Sequence, residues 1–115
     1  MTADDEPAAS DSDPPSGDPP SGAAPPVISR VVTIANKRGL HARAAAKFAT
    51  MAERFNASVD VHRDGQSVSA RSIMGLMMLG AGMGATIELQ AQGWDAREAL
   101  DALAGLVEAG FDESG

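Results

Sequence analysis

The amino-acid sequence predicts an α+β fold, an open-faced β-sandwich with the element order β-α-β-β-α-β-α. From residue 27 onward, short runs of alternating apolar and polar residues take turns with stretches of helical, 3.6-residue periodicity. Two of the alternating runs flank Asp64-Gly65, which is a typical hairpin turn. Each strand is apolar on one face and each helix is amphipathic. A four-stranded antiparallel sheet with three helices on one face buries all of these surfaces together.

The first strand and the first helix are predicted on either side of a polar turn. Residues 29–35 are rich in β-branched side chains, which favours a strand, and residues 36–39 make the turn. The helix that follows runs to Phe55, with an apolar stripe at helical spacing. The stripe consists of Leu40, Ala44, Phe48, Met51 and Phe55.

Two short strands form the predicted hairpin, residues 57–62 and residues 66–71. In the first of them Val59 and Val61 share one face, whereas His62 lies on the other. We therefore predict that His62 is a solvent-facing strand residue without a role in the chemistry.

The second half of the domain is predicted to contain two helices around one strand. Ser72 is placed as the N-cap of a short helix over residues 73–79, which ends at the glycines of residues 80–84. Residues 85–91 alternate and form the fourth strand. Asp95 and Glu98 make a capping-box pattern at the start of the last helix. Its buried stripe consists of Ala96, Leu100, Leu103, Val107 and Phe111.

Composition separates an acidic tail from the folded domain. Residues 1–26 hold six acids, no Lys or Arg, and all seven prolines, so we predict a disordered Pro-rich tail followed by one domain over residues 27–113. The domain is nearly neutral and poor in aromatic residues, which argues against nucleic-acid binding. Without cysteine or a ligand cluster, we expect no metal and no cofactor. No signal peptide or membrane-spanning segment is evident, which predicts a cytoplasmic protein.

His41 is the residue to which the sequence assigns chemistry. It stands at the predicted start of the first helix, where unpaired backbone N–H groups and the helix dipole favour a phosphate or carboxylate. Histidine is partly unprotonated at neutral pH and can attack phosphorus. Arg43 adds planar donors two positions later. The pattern indicates a histidine that accepts a phosphoryl group, at a site that should be shallow and exposed.

With these residues in place, the chain resembles the phosphocarrier HPr family of the phosphoenolpyruvate-dependent phosphotransferase system. Two motifs carry the resemblance, Gly39-Leu40-His41-Ala42-Arg43 and the segment from Ala70 to Met77 around Ser72. The resemblance implies that enzyme I phosphorylates His41 on Nδ1, that Arg43 neutralises the group, and that an enzyme IIA domain receives it. It also implies an HPr kinase/phosphorylase acting on Ser72.

The resemblance further assigns a docking surface to the second helix, which is too apolar for an ordinary surface helix. Leu76 and Leu79 are predicted to be core, whereas Ile73, Met74 and Met77 are predicted to dock enzyme I and IIA domains. One departure from the family pattern is Ala44, where the family commonly has proline. Its absence leaves the start of the first helix less rigid.

Two alternatives to a phosphocarrier in sugar uptake remain open from the sequence. The first is a purely regulatory relay or interaction protein controlled at Ser72. The second is a small-molecule or RNA-binding module, because similar element orders host such functions. Whether the chain counts as an enzyme is left open, because a carrier needs partners to turn over. A shuttle that visits several proteins in turn is expected to be a monomer.

Overall fold

The computed structural model describes residues 25–113, and it contains the seven predicted elements in the predicted order. A final turn of 3₁₀ helix follows them. The elements are β1 Ile28–Thr33, α1 Ala42–Ala52, β2 Ser58–Arg63, β3 Gln66–Ser69, α2 Ile73–Met78, β4 Thr86–Gln92, α3 Ala96–Glu108 and the 3₁₀ turn Gly110–Asp112. Their bounds lie within one to three residues of those predicted.

The four strands form one antiparallel sheet in the order β1-β4-β2-β3. Its buried face is continuous across the strands: Ile87 of β4 pairs with Val32, and Leu89 pairs with Val61. These four side chains are buried beneath the helices. The predicted fold, a four-stranded antiparallel sheet with three helices on one face, is confirmed.

The β2–β3 hairpin closes with a two-residue loop. Arg63 pairs with Gln66, so only Asp64 and Gly65 lie between the strands, with φ values of 50° and 80°. Two successive positive φ angles are those of a type I′ turn, for which Asp-Gly is a preferred pair. The hairpin was therefore predictable from two residues.

Helix α1 packs its apolar stripe into the core as predicted. Leu40, Ala44 and Phe48 are buried, and Met51 and Phe55 are partly buried against them. Full burial of a side chain as large as that of Phe48 stabilises the fold by roughly 2–3 kcal/mol. Alanines on the same face, Ala45, Ala49 and Ala52, let α1 lie close to α2 and α3.

The predicted capping box at Asp95 is wrong. The Asp95 side chain makes no cap hydrogen bond to α3. Its two carboxylate oxygens instead accept the backbone N–H groups of Asn56 and Ala57, at 2.9 and 2.8 Å. Those amides lie between α1 and β2 and need acceptors, because a buried N–H left without one costs stability. Asp95 therefore ties two connections together instead of capping its own helix.

The prediction that His62 faces solvent is also inaccurate. The residue is half-buried, and its Nε2 is buried without a partner among the described residues. β2 is an inner strand, so Glu88 of β4 and Ser67 of β3 stand beside His62 in the sheet register. The acidic tail lies outside the described residues except for its last two, and its predicted disorder stays a prediction.

Candidate functional site

His41 is the N-cap of α1, as predicted. Its backbone is extended, with φ −75° and ψ 178°, and its carbonyl accepts the N–H of Ala45 at 2.8 Å to begin the helix. The backbone N–H groups of the first helical turn have no intrahelical acceptor, because no helical carbonyl lies one turn before them. The histidine therefore stands where backbone donors and the positive end of the helix dipole favour an anion.

Gly39 and Leu40 fix the backbone that presents the histidine. Leu40 donates its N–H to the carbonyl of Ala81 at 2.9 Å. Gly39 has φ +66°, and a Cβ at this position would lie 2.4 Å from the same carbonyl oxygen. Only glycine fits such a close approach in the left-handed conformation. The connection from α2 to β4 therefore buttresses the loop before His41.

The sequence analysis missed Glu113, which contacts the His41 ring. One Glu113 carboxylate oxygen bonds Nε2 of His41, and the other accepts Nδ2–H of Asn36 at 2.9 Å. The buried Asn36 also donates to the carbonyl of Gly39, again at 2.9 Å. Asn36 was predicted only as part of a turn. The structure makes it a link between the histidine loop and the end of the chain.

A left-handed turn after α3 brings Glu113 to the site. Gly110, Phe111 and Asp112 have φ values of 66°, 57° and 60° in succession. Positive φ is unfavourable for Phe and Asp, so the surrounding structure must hold them there. Phe111 is fully buried, and Lys47 of α1 donates to its carbonyl at 2.7 Å. Burial of Phe111 was predictable from the α3 stripe, but the reversal of the chain was not.

Glu113 determines which ring nitrogen can act as a nucleophile. A carboxylate accepts hydrogen bonds, so a neutral His41 paired with Glu113 carries its proton on Nε2 and its lone pair on Nδ1. The hydrogen bond from Asn36, then that from His41, hold the pKa of Glu113 below the value usual for glutamate, and the charge of His41 when it is protonated and the charge of Arg38 act in the same direction. The acceptor is therefore ionised at neutral pH.

The ring is less exposed than predicted. The His41 side chain is 14% exposed, because the Glu113 carboxylate covers one edge. Nδ1 has no hydrogen-bond partner among residues 25–113, and it is not among their buried orphan atoms. Arg43 is exposed on the first turn of α1.

Ser72 is the N-cap of α2, also as predicted. Its Oγ accepts the N–H of Gly75 at 3.0 Å, and its backbone is extended. A Cβ on Gly75 would lie 2.9 Å from Oγ and 3.0 Å from Cβ of Val68, so this position suits glycine. The hydroxyl is half-buried.

Helix α2 divides into core and surface residues as predicted. Leu76 and Leu79 are buried, whereas Ile73, Met74 and Met77 are exposed. Two further methionines that the sequence analysis did not assign, Met78 and Met83, are also exposed, at 74% and 62%.

The exposed side chains of α2 and its C-terminal loop lie on the histidine side of the molecule, because Ala81, just beyond α2, contacts the loop before His41. We call this set the methionine face. It consists of Ile73, Met74, Met77, Met78 and Met83.

Among residues 25–113, no three His, Asp or Glu side chains come together as a metal-binding cluster. None of the helices formed by those residues has the length and apolarity to cross a bilayer.

Similarity to known proteins agrees with the geometry. A family model described as the PTS HPr component phosphorylation site matches residues 28–109, which is most of the chain. The chain belongs to the HPr family. The phosphocarrier protein NPr of Shewanella violacea is 51% identical over 87 residues, 76% of this chain and 96% of that protein. The phosphocarrier protein HPr of Cupriavidus necator is 48% identical over 87 residues, 76% of this chain and 98% of that protein.

Solved HPr structures share the fold. HPr from Thermoanaerobacter tengcongensis is 42% identical to this chain, with a TM-score of 0.73 covering 76% of this chain and 99% of that one. Another structure from the same species, described as an HPr dimer, is 45% identical with a TM-score of 0.61 and covers 71% and 94%. As a member of this family, the chain is a phosphocarrier of the phosphotransferase system. Glu113 lies beyond the segment that the family model matches.

Proposed function

We propose that His41 carries the phosphoryl group, accepting it on Nδ1 from enzyme I, which phosphoenolpyruvate charges, and passing it to an enzyme IIA domain. The observation that supports this most is the pairing of Nε2 with Glu113, which leaves the Nδ1 lone pair as the nucleophile. The position of the ring at the N-terminus of α1 adds unpaired amides for the incoming oxygens.

In the proposed transfer, the Nδ1 lone pair attacks phosphorus on charged enzyme I. The bond from phosphorus to the donor breaks, and its electron pair stays with the donor. His41 keeps its Nε2 proton throughout, so no proton has to leave the ring. The Glu113 carboxylate faces that N–H and stabilises the positive charge that the ring gains when Nδ1 binds phosphorus.

Arg43 is proposed to neutralise the phosphoryl group in transit. Its guanidinium is exposed two positions after His41, in the first turn of α1, and can present two N–H donors to phosphate oxygens. Because Arg43 is exposed and Nδ1 is not enclosed, the phosphate stays accessible to the next acceptor. A carrier needs such access, because a phosphate held too tightly would not be released.

The methionine face is proposed to dock both donor and acceptor. Its members Ile73, Met74 and Met77 are those that the family resemblance implies. The exposed Met78 and Met83 extend it, and Met83 lines the same cavity as Asn36 and Glu113. Methionine side chains adapt to differently shaped partners, which suits a surface that several proteins share.

Ser72 is proposed as a regulatory phosphorylation site for an HPr kinase/phosphorylase. A phosphate on Oγ adds roughly −1.5 to −2 charge at the start of α2, directly before Ile73 and Met74 of the docking face. Helix α2 tolerates that charge at its N-terminus, whereas an acidic or apolar partner docking there does not.

The proposed role requires that the chain and its donor share one compartment, which we propose is the cytoplasm. We also propose that the chain acts as a monomer, so that the methionine face remains free.

Labelling with enzyme I and radioactive phosphoenolpyruvate tests the assignment of His41. The wild-type chain should acquire an acid-labile, base-stable phosphate. His41→Ala should abolish labelling, and His62→Ala should retain it, because His62 lies on the sheet away from α1. Label that persists in His41→Ala would refute the assignment.

A second candidate function is regulation through Ser72 without sugar transport. The observation that favours it is that Ser72 begins the helix carrying the docking face, so its phosphate acts on docking whatever happens at His41. A deletion strain complemented by His41→Ala as fully as by the wild type would support this candidate. Complementation by Ser72→Ala but not by His41→Ala would exclude this candidate and support the phosphocarrier function.

A further inference from the structure

A groove runs along α1 on the side that faces the end of α3. Its volume is about 360 Å³, and its floor is apolar, formed by Ala46, Met51 and Leu106. Three cationic side chains rim it: Arg43, Lys47 and Arg54. Arg43 and Lys47 lie one turn apart on one side of α1, and Arg54 lies just beyond its end. The groove therefore combines an apolar floor with a positively charged border.

The charge of the chain is strongly divided between the tail and this region. Five of the nine bases fall within residues 37–54, with Glu53 as the single acid of that segment. Residues 4–18 hold all six acids of the tail and no base, interspersed with proline, alanine and serine. The tail segment thus combines small apolar residues with negative charge, the complement of the groove.

We propose that residues 4–18 bind in this groove within the same molecule, with Asp and Glu side chains paired to Arg43, Lys47 and Arg54. Small and proline side chains would cover Met51 and Leu106. The spacing of the carboxylates along this segment suits the spaced cations of the groove. Asp112, the one acid of the lining, lies at the edge nearest the 3₁₀ turn.

The tail joins the domain at Pro25, close to the end of the groove that Arg54 borders. The carbonyl of Pro25 accepts from the Gln92 side chain at 2.7 Å, at the last residue of β4. The next residues lead to Asp95, which binds the amide of Asn56 just beyond Arg54. The tail therefore begins at the same end of the domain where the groove ends.

The length of the tail is also sufficient. Helix α1 has eleven residues and is about 16 Å long. The 24 residues before Pro25 would span about 75 Å when extended in polyproline geometry, and about 25 Å on average as a flexible chain. Either figure exceeds the length of the groove.

Occupation of the groove would have a consequence at the phosphocarrier site. Arg43 belongs to both the groove and the site, so a carboxylate paired with it competes with an acidic partner or with the phosphoryl group. This consequence rests on the proposed function, whereas the contact itself does not. The contact should weaken with salt, since the charges of Arg43 and Arg54 are exposed.

Solution NMR of the full chain tests the contact without any phosphoryl transfer. We compare wild type with a variant in which Asp4, Asp5, Asp11, Asp13 and Asp18 become Asn and Glu6 becomes Gln. The amide and arginine side-chain signals of the groove should differ between the two chains. The difference should vanish in about 0.5 M salt and should not change on dilution.

Two arginine variants provide the matched control. Arg54→Gln should remove most of the difference caused by the tail charges, whereas Arg97→Gln, an exposed arginine of α3 outside the groove, should leave it intact. Identical groove signals in the wild type and the tail variant would overturn the proposal. Differences that disappear on dilution would also overturn it, because they indicate binding to a second copy.

Discussion

At His41, one hydrogen bond determines which ring nitrogen carries the lone pair. Glu113 accepts the Nε2 proton and is itself fixed by Asn36, so ring orientation and proton position are set by the same carboxylate. No local pattern in the sequence indicates this contact, because 72 positions separate the two residues. The positions of His41 and Arg43 at the start of α1 were predictable from local sequence, whereas their roles in phosphoryl transfer stay a proposal.

Replacing Glu113 with Gln tests this role. The neutral amide is a weaker acceptor and can turn its NH₂ toward the ring, which favours the wrong tautomer. We expect kcat/KM for transfer from enzyme I to fall about tenfold, with the fold retained. Asp112→Asn, a neighbouring acid without a contact to His41, should change the rate little.

The pH dependence of the same pair follows from the lowered pKa of Glu113. A carboxylate with a depressed pKa stabilises the folded state above its unfolded pKa and loses that contribution as the pH falls through its folded pKa. Urea denaturation should therefore show wild type more stable than Glu113→Gln near pH 7, with the difference shrinking toward about pH 3. A difference that grows in acid would contradict the pairing.

Gly39 and Gly80 form a matched pair for the loop before His41. Both have positive φ, but a Cβ at Gly39 would strike the Ala81 carbonyl, whereas a Cβ at Gly80 meets nothing within 4 Å. Gly80→Ala should cost about 1 kcal/mol of unfolding free energy, and Gly39→Ala about 2 kcal/mol more. Equal losses in denaturation would show that the close approach is not required.

The helices and strands followed from local patterns, and their connections did not. Periodicity placed α1, α2 and α3 because an amphipathic stripe is a property of neighbouring residues. Ser72 was predictable as an N-cap for the same reason. Asp95 matched the capping-box pattern equally well, yet its carboxylate serves the distant amides of Asn56 and Ala57, since buried donors there outcompete its own helix.

Removal of the Asp95 carboxylate tests that correction. Asp95→Ala leaves two backbone N–H groups without acceptors, so we expect a loss of about 2–3 kcal/mol in denaturant unfolding. Asp101 provides the comparison, because its carboxylate forms an exposed ion pair with Arg30, with an N–O distance of 2.5 Å. Asp101→Ala should lower the free energy of unfolding by less than about 1 kcal/mol. Similar losses for the two variants would show that Asp95 acts only as a surface charge.

On the scale of the whole molecule, one end of the domain gathers the histidine loop, the Glu113 turn and part of the methionine face. The opposite end carries the start of β1 and the turn at Trp94. The sequence resemblance predicted that α2 would dock partners. It could not predict Met83, which comes near Asn36 and Glu113 only through the packing of the loops.

The proposed role of the methionine face predicts that a new negative charge weakens partner binding on this face and not at the opposite end of the domain. Met74→Glu should weaken binding of enzyme I at least tenfold in titration calorimetry, because a charge replaces an exposed apolar side chain of the proposed docking surface. Trp94 is a similarly exposed apolar residue that follows β4, at the end of the domain opposite to His41. Trp94→Glu should leave the affinity for enzyme I unchanged. An unchanged affinity of Met74→Glu would place the interface elsewhere, and an equal loss in Trp94→Glu would show that the effect is not confined to the methionine face.

The most direct test of the account locates the phosphoryl group on the ring. The chain is labelled with ¹⁵N in histidine, charged by enzyme I and phosphoenolpyruvate, and examined for coupling between phosphorus and ring nitrogen. The account predicts coupling to Nδ1 of His41, with Nε2 still protonated. Coupling to Nε2, coupling to His62, or a charged protein without phosphorus on either ring would contradict it.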